Sequence, residues 1–239
     1  MNQKFWCTVL LWTTIVVVAT AQVAMRTPTL RFSASGGVGF LFADTGSDLD
    51  GVLTTAQTDQ LYQSLRRARH LSGDIHYLFK DQYGIGIKYI FHHTSGEENE
   101  VLVDPGDNLH FIVIDLRESD YLNFTGLSFG GYSAVGKQKR IGLTSSLSAG
   151  YAFLRSELSM IGQQLLITGG NFAMNAEIGA DYRFHPNLGI GITLGTFSGY
   201  FRKVKITDGT QTQEQKLDKD EQYNASNIHL TLGLRYYIN

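Results

Sequence analysis

NFAMNAEIGADYRF (171–184), HPNLG (185–189) and IGITLGTFSGYF (190–201) form the stretch whose reading decides the fold. In the first run Phe172, Met174, Ala176, Ile178, Ala180, Tyr182 and Phe184 share one parity, while Asn175, Glu177, Gly179, Asp181 and Arg183 share the other. A period of two belongs to strands, whose successive side chains point to opposite faces. The polar HPNLG turn makes the two runs a hairpin with one apolar and one charged face. The question is which face the molecule turns inward.

The same alternation recurs outward from this hairpin, at Leu30 to Phe42, His70 to Phe79, Tyr83 to His92, Ile141 to Phe153 and Ser226 to Ile238, and least regularly at Tyr121 to Ala134. A composition of 26 glycines against 3 prolines, with 14 Phe and 12 Tyr, suits strands with close backbone approaches better than helices. Short turns at 81–84, 136–140 and 185–189 alternate with long connections at 43–69, 94–120, 156–170 and 203–224. Within 94–120, two apolar runs around Asp104-Pro105-Gly106-Asp107 predict a small hairpin projecting beyond the sheet. An even number of antiparallel strands with short turns at one end and long loops at the other is the plan of a membrane barrel. The expected fold is all-β: an eight-stranded antiparallel up-and-down transmembrane β-barrel with short periplasmic turns and long extracellular loops.

The chain start agrees with export. Lys4, the apolar run Phe5 to Val18 and Ala19-Thr20-Ala21 read as a secretory signal peptide over 1–21, leaving 22–239 as a single barrel domain. That apolar run is shorter than the roughly 20 residues a membrane helix needs. Cys7, the single cysteine, opens the apolar core, which argues against a lipid anchor and leaves the exported part without disulfides. Removing Lys4 from the 20 basic residues leaves 19 against 22 acidic, with no basic tract, so nucleic acid is not an expected partner.

A soluble barrel buries its apolar parity, whereas a membrane barrel turns it to lipid. Here the apolar parity carries almost no charge, Arg155 at a strand end being the main exception. The opposite parity combines glycines with Arg31, Asp74, Lys88, Glu177, Asp181, Arg183 and Arg235, a set that is costly to bury without partners. These residues are predicted to line the lumen as a paired charge network, since an eight-stranded interior is just wide enough for side chains to fill. Phe172, Ile178 and Tyr182 then face lipid, and Phe79, Tyr83, Tyr182, Phe184 and Tyr236 form an aromatic girdle near the short turns.

The runs LLITGGNFAMNAEIGADYRFHPNLGIGITLGTFSGYF (165–201), ITDGTQTQEQKLDKDEQYN (206–224) and NIHLTLGLRYYIN (227–239) resemble porin-family outer-membrane β-barrel domain proteins of Gram-negative bacteria, of the OmpA/OmpX-like kind. The resemblance covers essentially all of 22–239 and implies the bacterial outer membrane as location. Such proteins share an architecture rather than an activity.

Several motifs could carry chemistry. Gly126-Leu127-Ser128-Phe129-Gly130 matches G-x-S-x-G, but inside a strand with no helix after it the pattern has no meaning as a nucleophile elbow. His93 and Ser95, two apart and so on one strand face, with Glu97, Glu98 and Glu100 nearby, are the candidate catalytic pair, because a histidine can serve as base for a hydroxyl nucleophile. His70, His92 and His93 match no structural zinc spacing. Asp48-Leu49-Asp50-Gly51 lacks the glutamate that closes a calcium loop. No metal or other cofactor is expected. The expected function is non-enzymatic: a monomeric barrel in outer-membrane lipid that acts structurally or docks an extracellular or envelope partner through its long loops. The alternatives are an outer-leaflet lipid-modifying enzyme of the lipid A deacylase kind built on His93 and Ser95, a small pore, and a soluble lipocalin-like binder.

Overall fold

The computed structural model describes residues 28–42, 63–79, 83–103, 112–160, 163–217 and 222–238. The expected signal peptide, most of the connection 43–69 with Asp48-Leu49-Asp50-Gly51, and the Pro105-Gly106 turn lie outside the described residues. The strands are β1 (Leu30–Leu41), β2 (Arg67–Phe79), β3 (Tyr83–Val103), β4 (Ile112–Val135), β5 (Ile141–Met160), β6 (Gln163–His185), β7 (Leu188–Phe201), β8 (Lys203–Thr207), β9 (Thr212–Lys216), β10 (Tyr223–Asn224) and β11 (Asn227–Ile238). β1 to β7 pair in chain order, β7 pairs with β11, and β11 returns to β1, so eight antiparallel strands close a ring. Leu30 sits opposite both Ile238 and Tyr77, which places the two ends of the barrel on one rim with the short turns.

The faces fall as the alternation predicts. Leu232 and Leu234 are 64% and 66% exposed, whereas Arg235, the next residue, is 1% exposed. Phe172, Ile178 and Tyr182 are likewise exposed, while Asp181 and Arg183 are buried. An outer belt of leucine, isoleucine and aromatic side chains around a charged interior is the inverse of a soluble barrel, and lipid is the solvent that satisfies it. Closure completes the argument, because a ring leaves no backbone edge unpaired in hydrocarbon.

The wall is uneven in height. β1, β2, β7 and β11 have 12, 13, 14 and 12 residues, while β3, β4, β5 and β6 have 21, 24, 20 and 23. The shorter strands suffice for a bilayer, which takes about 9–11 tilted residues per strand. The longer four rise about eight residues higher, roughly 25 Å along the strand.

This corrects two expected loops. β3 and β4 run on as one ladder over 94–103 and 112–120, to Val103 opposite Ile112, with a bulge between Glu98 and Val101, rather than ending before a separate hairpin. β5 and β6 run on to pair Met160 with Gln163, where a loop over 156–170 was expected. The reason is solvent. Above the lipid, Glu97 and Arg117 stand exposed on the outer face, as do Arg155 and Glu157, so the apolar half of the alternation disappears. The described part of the connection 203–224 is also more ordered than its composition suggests: β8 extends the sheet at β6 and hairpins onto β9, while β10 pairs with the end of β7.

The irregular alternation of β4 has an equally physical origin. Leu122 and Phe124 point inward and join Ile90, Leu154, Phe197 and Phe201 in a buried apolar cluster. Phe124 meets Phe197 edge to face, with ring centres 5.5 Å apart. The expectation of a polar inner parity therefore holds for the periplasmic half of the lumen, and an apolar layer lies above it.

Candidate functional site

The predicted charge network assembles because alternate residues of β1, β2, β3, β6, β7 and β11 all point into a narrow ring. Arg31 donates from Nη1 to Asp74 Oδ1 at 2.9 Å and from Nε to Asp181 Oδ2 at 3.0 Å. Arg235 Nε donates to Asp181 Oδ1 at 3.1 Å, and the Tyr237 hydroxyl to Oδ2 at 2.8 Å. Lys88 Nζ reaches Glu177 Oε2 at 2.6 Å and Asp74 Oδ2 at 3.8 Å. Arg183 lies over the Tyr237 ring, 4.8 Å from its centre, and donates to the Pro186 carbonyl. All seven predicted residues are thus in the lumen, and ion pairs link Arg31, Asp74, Lys88, Glu177, Asp181 and Arg235 into one chain. Gly191 makes the room, since a Cβ there would run into the Asp181 carboxylate and the Arg235 guanidinium.

Beside this network the structure joins Ser128 of the G-x-S-x-G match to a histidine and an aspartate. Ser148 donates to Ser128 Oγ at 3.0 Å, Ser128 to His76 Nε2 at 2.9 Å, and His76 Nδ1 to Asp74 Oδ1 at 2.9 Å. The connectivity is that of a nucleophile, base and orienting acid. The surroundings differ. Ser128 is 1% exposed, and the adjoining cavity, lined by Arg31, Asp74, His76, Lys88 and Glu177, holds about 20 Å³. That is space for a single water, not for a substrate. The chain acts as buried hydrogen-bond satisfaction.

Between the charged half and the apolar layer lie three buried histidines, His70, His92 and His229. His70 and His92 are cross-strand partners on β2 and β3, with Nδ1 atoms 3.3 Å apart. His229 comes from β11, on the far side of β1. It stacks on His70 at 4.1 Å, and Gly195 of β7, its cross-strand partner, leaves room for the ring. A Cβ on Gly195 would collide with His229 Nε2. Asn227 sits over the group, its Oδ1 3.3 Å from His229 Nδ1 and its Nδ2 3.4 Å from His92 Nε2. His229 Nε2 faces Glu177 Oε1 at 3.3 Å.

The candidate catalytic pair stands elsewhere, on the outer face of β3 above the apolar belt. His93 stacks on Tyr121 at 4.6 Å and its Nδ1–H donates to the Asp120 carbonyl at 3.2 Å, while the Ser95 hydroxyl pairs with that of Ser119 at 3.3 Å. On the inner side at this height, also above the belt, Glu118 and Asp120 are buried. Tyr223 donates to Asp120 at 2.5 Å, and Thr94 at 3.4 Å. Burial, and then the neighbouring Asp120, pushes the Glu118 carboxyl up to about 8; burial raises Asp120 as well.

His70, His92 and His229 share the inward-facing parity of their strands, but parity does not bring them to one level. Parity is readable strand by strand, whereas level depends on the register of β2 with β3 and of β11 across β1. The glycine opposite His229 on β7 was the available signal.

Neither a protein-family model nor a curated protein sequence matches the chain. Solved structures with a similar course include the outer membrane protease OmpT from Escherichia coli (9% identity, 92% of this chain and 100% of that one, TM-score 0.49). A major outer membrane protein from Thermus thermophilus is 13% identical over 87% of this chain and 98% of that one, with a TM-score of 0.49. OprG from Pseudomonas aeruginosa is 13% identical over 90% and 100%, with a TM-score of 0.47. Likeness at this level carries no inference about activity or ligand.

Proposed function

We propose that this chain is a monomeric bacterial outer-membrane barrel that neither conducts through its lumen nor catalyses, and that it works through the tall wall of β3 to β6. The observation that carries this reading is the filled lumen. Its periplasmic half is closed by Arg31, Asp74, Asp181 and Arg235, and its extracellular half by Phe124, Phe197 and Phe201. An aqueous pore needs a continuous polar path, and the aromatic cluster interrupts it. An acyl-transfer site needs a nucleophile hydrogen-bonded to its base, and His93 and Ser95 each spend their described bonds on other groups. What reaches beyond the lipid is a continuous ladder with exposed charges of both signs, including Arg117 beside Glu97 and Arg155 beside Glu157. Such a surface suits docking an extracellular or envelope macromolecule. Within the lipid, the closed ring leaves no free strand edge to recruit a second copy.

Planar-bilayer recording of the purified protein tests the sealed lumen. Stable membranes without discrete conductance steps are expected; stepwise openings that vanish on boiling the sample would overturn the reading.

A further inference from the structure

The cluster of His70, His92, His229 and Glu177 has a feature that hydrogen bonding alone leaves unexplained. His229 turns both ring nitrogens to oxygen acceptors, Nδ1 to Asn227 Oδ1 and Nε2 to Glu177 Oε1, each at 3.3 Å. A neutral imidazole carries one N–H and satisfies one of them. His70 and His92 meet Nδ1 to Nδ1, a contact that holds one proton at most, and His70 Nε2 is buried with no hydrogen-bond partner. The group is rich in lone pairs and short of protons, fully enclosed, with ligand atoms of all three rings within 4.8 Å of one another.

We propose that these residues bind a divalent transition-metal ion of the zinc class, with three imidazole ligands and Glu177 as the fourth. Two nitrogens on one tetrahedral zinc with bonds of about 2.0–2.1 Å lie roughly 3.3 Å apart. That is the separation of the His70 and His92 Nδ1 atoms, and also of His229 Nε2 from Glu177 Oε1. Glu177 can take this role without leaving the charge network, because Lys88 holds its other oxygen, Oε2, at 2.6 Å. The Asn227 contact suits the matching tautomer of His229: a proton on Nδ1 bonded to Asn227 Oδ1 leaves Nε2 free to ligate, and such an outer bond fixes the orientation of a metal-bound ring. Three nitrogens and one carboxylate oxygen favour zinc, copper or nickel over magnesium or calcium, which prefer oxygen ligands alone. The ion's place is structural. It ties β2, β3, β6 and β11 together at the level where the charged lumen gives way to the apolar one, and the enclosure of the site means that it enters as the barrel folds.

The test refolds the full-length chain from urea into detergent with Zn²⁺, Co²⁺ or Ca²⁺, removes free metal by desalting, and measures retained metal together with the cobalt absorption spectrum. One equivalent of zinc or cobalt per chain, a tetrahedral cobalt spectrum and no retained calcium are expected. His70→Gln with His229→Gln should abolish retention, and Glu177→Gln should weaken it tenfold or more. His93→Gln with His185→Gln, outside the lumen, should retain the full equivalent. Heat-modifiable gel migration reports whether each variant has folded. If a lumen variant does not fold, the wild-type chain decides alone: refolded barrel without retained zinc or cobalt, or with a cobalt spectrum lacking tetrahedral bands, overturns the proposal. So does retention that survives in the folded His70→Gln, His229→Gln chain.

Discussion

Asp181 and Phe197 both point into the same closed ring, one in the periplasmic half and the other in the extracellular half, and both are 1% exposed. Around Asp181 space is filled by Arg31, Arg235 and Tyr237, all bonded to one carboxylate. Around Phe197 it is filled by Phe124, with His92 against the other side at 5.8 Å. The difference shows that an inward position on a membrane barrel strand is defined by enclosure rather than by polarity. Charges can occupy it when every one finds a partner, and aromatic rings can occupy it when they pack.

The two halves should fail differently. Asp181→Ala is expected to have the largest effect, roughly 5 kcal/mol of unfolding free energy, the upper end for a broken buried ion pair, because three donors lose their acceptor at once. Urea titration of the barrel in lipid vesicles measures it. A loss below about 1 kcal/mol would mean that water reaches the network. Phe197→Ala should cost about 3–4 kcal/mol in the same assay by leaving a cavity, with Phe197→Leu recovering most of it.

A third effect separates the extracellular rim from both. The Glu118 carboxyl lies above its ordinary value of 4.5, at about 8. The folded chain therefore holds a proton that the unfolded chain releases. The stability this contributes is fully present below pH 4.5 and is lost as the pH climbs through about 8. The urea midpoint should fall between pH 5 and pH 9, and Glu118→Gln should flatten that fall; an unchanged slope in the variant would contradict the assignment. Smallest of all, Arg117→Ala breaks an exposed pair with Glu97 and should leave the midpoint unchanged.

How much of this was legible beforehand varies along the chain. The strands within the lipid were readable because both solvents act on them, lipid on one parity and a packed lumen on the other. Where β3 to β6 rise above the belt, that contrast fades, and Thr94-Ser95-Gly96-Glu97 reads as loop although it is ladder. β4 misleads in the other direction: with Leu122 and Phe124 inside and Asn123 and Thr125 outside, the polarity of its two faces is reversed midway along the strand. The seven lumen charges were legible from parity alone, since an unpartnered charge is intolerable in lipid. The pairing of Arg31 with both Asp74 and Asp181 was not, because their separations of 43 and 150 residues are bridged by register.

The sequence by itself determined the class of this protein: period-two alternation with one nearly charge-free parity, divided by turns into eight segments, has a closed membrane barrel as its solution. Only the tertiary structure decided at what level each inward residue sits and which residues it meets. The height of each residue in the lumen depends on the stagger of all eight strands, and that stagger brings His229 across β1 to His70 and His92 and sets the aromatic seal above the charged floor. Alternation is a property of one strand, but level is a property of the closed ring.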